Sequence, residues 1–167
     1  MGKGLYFPLF VDLSEKHILV VGAGKIAKRR ITTMVDFAGK VTVVAPDILP
    51  EIREMAQSVP HITLTERNFL LEDLRGADLV FAATNNPALN EDIAKACKEA
   101  GIPVNAAHNQ KLCDFYFPGL VKKDPLVIGV TACGKDHAAA KETTAAIREL
   151  LSQKEDGGTH LSSMIRR

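Results

Sequence analysis

The residues with the clearest chemical purpose are Gly22-Ala23-Gly24-Lys25-Ile26-Ala27, directly after the apolar run Ile18-Leu19-Val20-Val21. An apolar run of β-formers, a glycine turn and a resumed helical pattern predict strand, tight turn and helix. Gly22 permits the sharp turn, and Gly24 lets backbone N–H groups approach a pyrophosphate. Ala27, in the place of a third glycine, keeps the helix close to the strand. The N-terminus of that helix then faces an anion. The chemistry this implies is dinucleotide binding.

In an open doubly wound sheet, ligands bind outside the carboxyl ends of the strands. That rule gathers Gly22, Gly24, Lys25, Ile26, Pro46, Asp47, Thr84, Asn85 and the segment from Asn105 to His108 on one rim. Asp47 lies 25 residues after Gly22, near the spacing of an acid that accepts from the adenine ribose hydroxyls. An anion there repels a 2′-phosphate, which favours NAD over NADP. Its alternative reading is a solvated turn aspartate after proline. Thr84 and Asn85 follow small residues that leave room for a cofactor against the backbone, or they form a plain turn before Pro87. Lys28, Arg29 and Arg30 resemble a basic patch, but successive helical positions point about 100° apart, so a solvated surface is the expectation.

Cys97, Cys113 and Cys133 contain no C-x-x-C pair, which argues against a disulfide framework and a zinc knuckle. Cys97 falls at helical spacing after Ile93 and reads as core. His108, Cys113, Cys133 and His137 match no metal signature, and the expectation is separate structural roles with no metal site.

The elements that must position these residues alternate. Strands are predicted at Ile18–Val21, Val41–Ala45, Ile62–Thr65, Leu79–Ala83 and Val104–Ala106, and helices at Lys25–Phe37, Leu49–Gln57 and Ala88–Ala100. The fold class is therefore α/β, a Rossmann-like doubly wound parallel sheet. The apolar leader from Leu5 to Val11 is expected to pack beside that sheet. After residue 112 the alternation stops. Phe115–Pro118 and Leu126–Thr131 flank a turn-type sequence with no room for a crossover helix, so they predict an antiparallel pair extending the sheet, followed by a helix at Ala138–Leu151. The organisation expected is an NAD-binding domain over 1–112, a dimerisation and substrate-cleft element over 113–151, and a polar tail over 152–167 that is mobile or cut short. The strand pair is too apolar to stand free, so it and the last helix are expected to pack across a two-fold axis.

With 167 residues, 46% of them hydrophobic, the chain can bury a real core. Twenty-one Lys and Arg balance 20 Asp and Glu, which supplies no electrostatic platform for nucleic acid or an anionic membrane. No apolar run approaches the roughly 20 residues that span a bilayer, and no basic segment with a long apolar run opens the chain. A small-molecule partner and a cytoplasmic location are expected.

Several stretches together resemble one family. Phe7-Pro8-Leu9-Phe10-Val11-Asp12-Leu13, the segment Ile18–Ala27 and Lys28-Arg29-Arg30 are similar to the opening of precorrin-2 dehydrogenase, the N-terminal NAD-binding module of siroheme synthase. Val43-Val44-Ala45-Pro46, Ala82-Ala83-Thr84-Asn85, Val104-Asn105, Phe115-Tyr116-Phe117-Pro118 and Leu126–Thr131 continue the likeness in order, over about residues 5–151. The resemblance implies oxidation of precorrin-2 to sirohydrochlorin with NAD as hydride acceptor, in some members followed by insertion of ferrous iron in the same cleft, on a homodimer. After Val104-Asn105 the family usually carries an aspartate implicated in dehydrogenation and chelation; here His108 holds that place. The family's Gly-x-Ser-Pro-like turn is replaced by Gly134-Lys135-Asp136-His137, and the longer helical segment of relatives is reduced to little beyond Leu151. An aspartate is an anion at pH 7, whereas a histidine, with an ordinary pKa near 6.5, is mostly neutral and the better proton acceptor. His108 is thus the candidate catalytic residue, its alternative being an exposed rim histidine. Lys122, Lys123, Lys135 and Lys141 are candidates to meet tetrapyrrole carboxylates. Two other functions fit the same residues: a regulatory NAD-binding module, and a family member that binds tetrapyrrole without turnover. The additional strand pair, and Pro46 ahead of Asp47, favour the enzyme.

Overall fold

The computed structural model describes residues 6–156, and they fall into two compact units. The first, Leu9–Tyr116, is built on a five-stranded parallel sheet. Its strands are β1 (His17–Val21), β2 (Lys40–Val44), β3 (Ile62–Thr65), β4 (Leu79–Ala82) and β5 (Val104–Ala106), in the order β3-β2-β1-β4-β5. The helices are α1 (Lys25–Met34), α2 (Pro50–Ser58) and α3 (Pro87–Glu99). The order reverses direction at β1, between β2 and β4. With right-handed crossovers this puts α1 and α2 on one face and α3 on the other. The sheet is the expected doubly wound one.

Register decides which side chains reach each face. Val20, Phe81 and Asn105 are lateral neighbours across β1, β4 and β5, as are Val21, Ala82 and Ala106 one step on. The second set joins Leu19, Val44, Val80, Val104 and, from α3, Ile93, Ala94 and Cys97 in one buried cluster. Cys97 is core, as its spacing indicated, and burial pushes its thiol up to about 11.

Helix ends shift by a residue or a few from expectation. Pro50 and Pro87 each open a helix, the position where a missing N–H costs nothing. α1 stops at Met34 rather than Phe37, and its C-cap Val35 returns its N–H to Ile31 O. The leader is a larger correction. Tyr6 to Val11 form no strand, and Phe7, Leu9, Phe10 and Val11 are 60–88% exposed. These side chains face solvent instead of packing into a core.

The second unit takes residues from Phe117 onward together with the described residues 6–8. Here β6 (Gly119–Lys123) pairs antiparallel with β7 (Leu126–Val130) around a cis Asp124–Pro125 bond, and α4 (His137–Asp156) follows. The pair was expected over Phe115–Pro118 and Leu126–Thr131, extending the parallel sheet; Phe115–Pro118 is not a strand, Lys122 and Lys123 of the expected turn belong to β6, and the pair forms a separate two-stranded sheet. Its cover comes from α4. Thr144 is buried where a Cβ on Gly119 would collide with its hydroxyl, Arg148 donates to Leu120 O at 3.0 Å, and the Lys123 ammonium donates to Leu151 O. The helix carries on five residues past Leu151. The rest of the expected tail, 157–167, lies outside the described residues.

Candidate functional site: the carboxyl rim of the parallel sheet

Four loops leave the carboxyl ends of the central strands, and backbone hydrogen bonds tie them together. Gly22 N donates to Val44 O and Ala83 N to Val21 O, both at 2.8 Å, while Ala107 N donates to Ala82 O at 2.9 Å. Leu49 N reaches Ala23 O at 3.3 Å, which fastens the segment carrying Pro46 and Asp47 to the glycine turn. The expected rim therefore forms.

The two motif glycines do different work. Gly22 sits at φ +101°, and a Cβ there would lie 2.4 Å from Ala83 O. It is required by the close approach of the first and fourth strand ends. Gly24 has an ordinary φ of −85°, and a Cβ on it would meet nothing within 4 Å. It is the N-cap of α1, with no side-chain cap and no acid in the first turn. Lys25 occupies the first helical position, where the macrodipole favours anions over cations. An uncapped helix start, open space at Gly24 and an adjacent ammonium fit a pyrophosphate. Ile26, nearly half exposed, flanks this opening.

Pro46 and Asp47 are exposed at the end of β2. Thr84 and Asn85 follow β4, and the organiser of their loop is a residue that sequence reasoning passed over. Asn90, fully buried on α3, accepts from Thr84 N at 3.0 Å and from Thr84 Oγ1 at 2.8 Å, and donates to Thr84 O at 3.1 Å. Asn86 caps the same helix by accepting from Leu89 N at 3.2 Å. The sequence signal was available: Asn86 directly before a proline is a helix start, and a polar residue on the apolar stripe of α3 must find partners.

Asn105 is also buried, and its Nδ2 donates to Phe115 O at 2.7 Å, holding the returning segment against β5. Arg30, expected to be solvated, is 7% exposed with its guanidinium carbon 5.2 Å from the Phe81 ring centroid. Position 30 lies beside Ala27 and Ile31 at the edge of the buried stripe, and its long stem carries the charge inward. Desolvation lowers its pKa to about 10, countered by the nearby Cys113 sulfur. Phe81 meets Phe115 edge to face, so Arg30, Phe81, Asn105 and Phe115 form one packed layer behind the rim. Lys28 does remain at the surface, paired with Glu51 at 2.9 Å.

His108 lies in the loop after β5; the residue as a whole is exposed on the rim, while its side chain is about three-quarters covered. The Cys113 thiol donates to Ala106 O at 3.2 Å and lies 3.5 Å from Asn109 O, pinning the turn that presents the imidazole. Its Nε2 stands 3.6 Å from Glu91 Oε1 on α3. Among the described residues, no three His, Cys, Asp or Glu side chains group as a metal-binding set, and no helix is long and apolar enough to cross a membrane.

A doubly wound sheet with this glycine turn, uncapped helix and rim defines a Rossmann-type dinucleotide-binding protein. Residues 9–119 match the family model described as "Putative NAD(P)-binding", and the chain belongs to that family. It is 35% identical over 147 residues to a siroheme synthase of Psychrobacter sp. (strain PRwf-1), covering 88% of this chain and 30% of that protein. It is 37% identical over 145 residues to the "Probable multifunctional siroheme biosynthesis protein HemA" of Ruminiclostridium josui, covering 86% and 28%. The chain thus spans under a third of the length of these curated relatives. Among solved structures it resembles SirC, a precorrin-2 dehydrogenase, with a TM-score of 0.66 and 26% identity over 89% of this chain and 71% of that one.

The two glycines yield a prediction that separates ligand from fold. Because a side chain at position 24 meets only open space, Gly24→Asp should fold normally yet lose NAD binding, its carboxylate standing where the pyrophosphate approaches. Asp47→Ala should weaken NAD by about 1–3 kcal/mol through lost charged hydrogen bonds. Titration calorimetry checks both. Wild-type affinity in Gly24→Asp would remove the helix start from the site.

Proposed function

We propose that this chain is an NAD-dependent precorrin-2 dehydrogenase of siroheme biosynthesis, acting in the cytoplasm. The observation that carries the reading is the bond from Ala107 N to Ala82 O, which brings the His108 loop alongside the β4 end that also supports Gly22. A proton acceptor and a dinucleotide cradle then share one rim, as removal of a hydride and a proton from neighbouring atoms requires. In this reading the α1 start with Gly24, Lys25 and Ile26 holds the pyrophosphate, and Asp47 accepts from the adenine ribose. Thr84 and Asn85 present the backbone surface beside it. NAD, when bound, accepts the hydride. His108 takes the accompanying ring proton from the tetrapyrrole.

The test is anaerobic incubation with NAD and freshly generated precorrin-2, following NADH absorbance and the sirohydrochlorin spectrum together. NADH and sirohydrochlorin should appear in equal amounts; no turnover, with NAD bound, would leave a binding protein. Adding ferrous iron after sirohydrochlorin forms reads out metal insertion in the same sample.

We also propose that β6, β7 and α4 form the self-association and substrate-cleft element. A two-stranded sheet is marginal alone, and Leu126 and Leu150 are exposed on this unit. Light scattering at micromolar concentration should give a dimer, and a monomer would count against the cleft.

A further inference from the structure

We propose that Glu91 is the positioning residue for His108, so that the second turn of α3 and the loop after β5 together form a carboxylate–imidazole pair on the rim. The inference rests on the reading of His108 as proton acceptor. It adds the group that orients the ring and thereby selects the nitrogen that acts.

The backbone around His108 is already fixed. Ala107 N is held by Ala82 O, Asn109 N lies 3.4 Å from Ala106 O, and the Cys113 thiol bridges the carbonyls of Ala106 and Asn109. What these backbone contacts do not set is the rotamer and tautomer of the imidazole. A ring that turns freely presents Nδ1 and Nε2 in alternation, and a base must hold one lone pair toward its proton. Glu91 biases that choice. Its carboxylate lies 3.6 Å from Nε2, an ion-pair contact slightly longer than a hydrogen bond, and it favours the ring with hydrogen on Nε2. The lone pair is then on Nδ1, which is the atom assigned to take the proton.

Glu91 is itself well placed. It directly follows Asn90, whose three hydrogen bonds lock α3 to the Thr84 loop, and the helix start is set by the Asn86 cap and Pro87. The same anchor that shapes the cofactor side of the rim therefore fixes the carboxylate that faces His108. Glu91 is more than half exposed, so its removal opens no cavity and leaves the core intact.

The experiment uses the intact chain with two readouts. Nitrogen-15 spectra of the imidazoles, assigned with His108→Ala, should show His108 in one tautomer with hydrogen on Nε2. In Glu91→Leu both nitrogens should shift toward tautomer-averaged positions, while Glu91→Gln, which keeps an oxygen acceptor, should stay closer to wild type. In the precorrin-2 assay, Glu91→Leu should lower kcat by roughly tenfold with the KM for NAD unchanged. The same substitution placed on His108→Ala should cost nothing more, because it acts only through that ring. Identical His108 nitrogen spectra in wild type and Glu91→Leu would overturn the pairing, whatever the turnover. Full turnover in His108→Ala would instead remove the base itself, leaving the spectra to judge Glu91 separately.

Discussion

Gly22→Ala should destabilise the protein severely, by about 2–6 kcal/mol, although it adds a single methyl group. Two costs combine. At φ +101° an L side chain is strained, which is worth on the order of 1–3 kcal/mol. The added Cβ would also stand 2.4 Å from Ala83 O, 2.6 Å from Ala83 C and 2.9 Å from Thr84 N. These are backbone atoms, so no rotamer change relieves the contact. Ala83 N is already committed to Val21 O, and Thr84 N to Asn90 Oδ1. Moving them aside pulls apart β1 and β4 at the centre of the sheet, and overpacking of that kind costs roughly 1–3 kcal/mol more. For a chain of this size the melting temperature should fall by roughly 5–20 °C. Gly24→Ala is the internal control, since it has neither positive φ nor a neighbour, and its melting temperature should stay within a few degrees of wild type. Calorimetric scans of the three proteins decide it. A Gly22→Ala protein as stable as Gly24→Ala would mean that the turn relaxes freely and that Gly22 serves only ligand approach.

That contrast shows how far the sequence could be read. The parallel sheet was legible because each strand is a short apolar run and each crossover ends in a recognisable stop, so Ile18–Val21 and Val104–Ala106 fall almost exactly where their patterns put them. The rim followed from topology, since parallel strands carry all their carboxyl ends to one edge. What was not legible depends on side-chain reach and long-range pairing. Arg30 reads as one of three adjacent surface cations, yet its stem carries the charge onto Phe81. Asn90 reads as one more polar residue on a helix until Thr84 is seen to need its amide. Glu91 and His108 lie 17 positions apart, at no spacing that marks a pair, and meet only because α3 and the β5 loop leave the same rim. The hairpin was visible as such, but its first strand was read at the apolar run Phe115–Pro118 and forms instead at Gly119–Lys123, and local pattern cannot say which sheet a hairpin joins.

The second large effect concerns chemistry. His108→Ala should lower precorrin-2 turnover by about 10² to 10⁴, the usual contribution of a positioned proton acceptor. Its NAD affinity should hardly change, because the cofactor contacts proposed here come from the α1 start, the β2 end and the Thr84 loop. Folding should survive as well. The turn that carries the ring is held by Ala107 N, Asn109 N and the Cys113 thiol, none of which belongs to the imidazole. A loss in kcat alone, with binding and melting temperature preserved, is therefore the signature of a group used in the transition state. His108→Asp sharpens the test. A carboxylate at the same point of the loop remains a base below neutral pH, so this variant should keep turnover and extend it to more acidic conditions than an imidazole supports. It would also stand near Glu91, an unfavourable pairing of like charges that His108 avoids, and Glu91→Gln should then improve the aspartate variant rather than impair it. Steady-state kinetics across pH on the four proteins would decide the assignment: an alanine variant as fast as wild type at every pH would show that the proton leaves by another route.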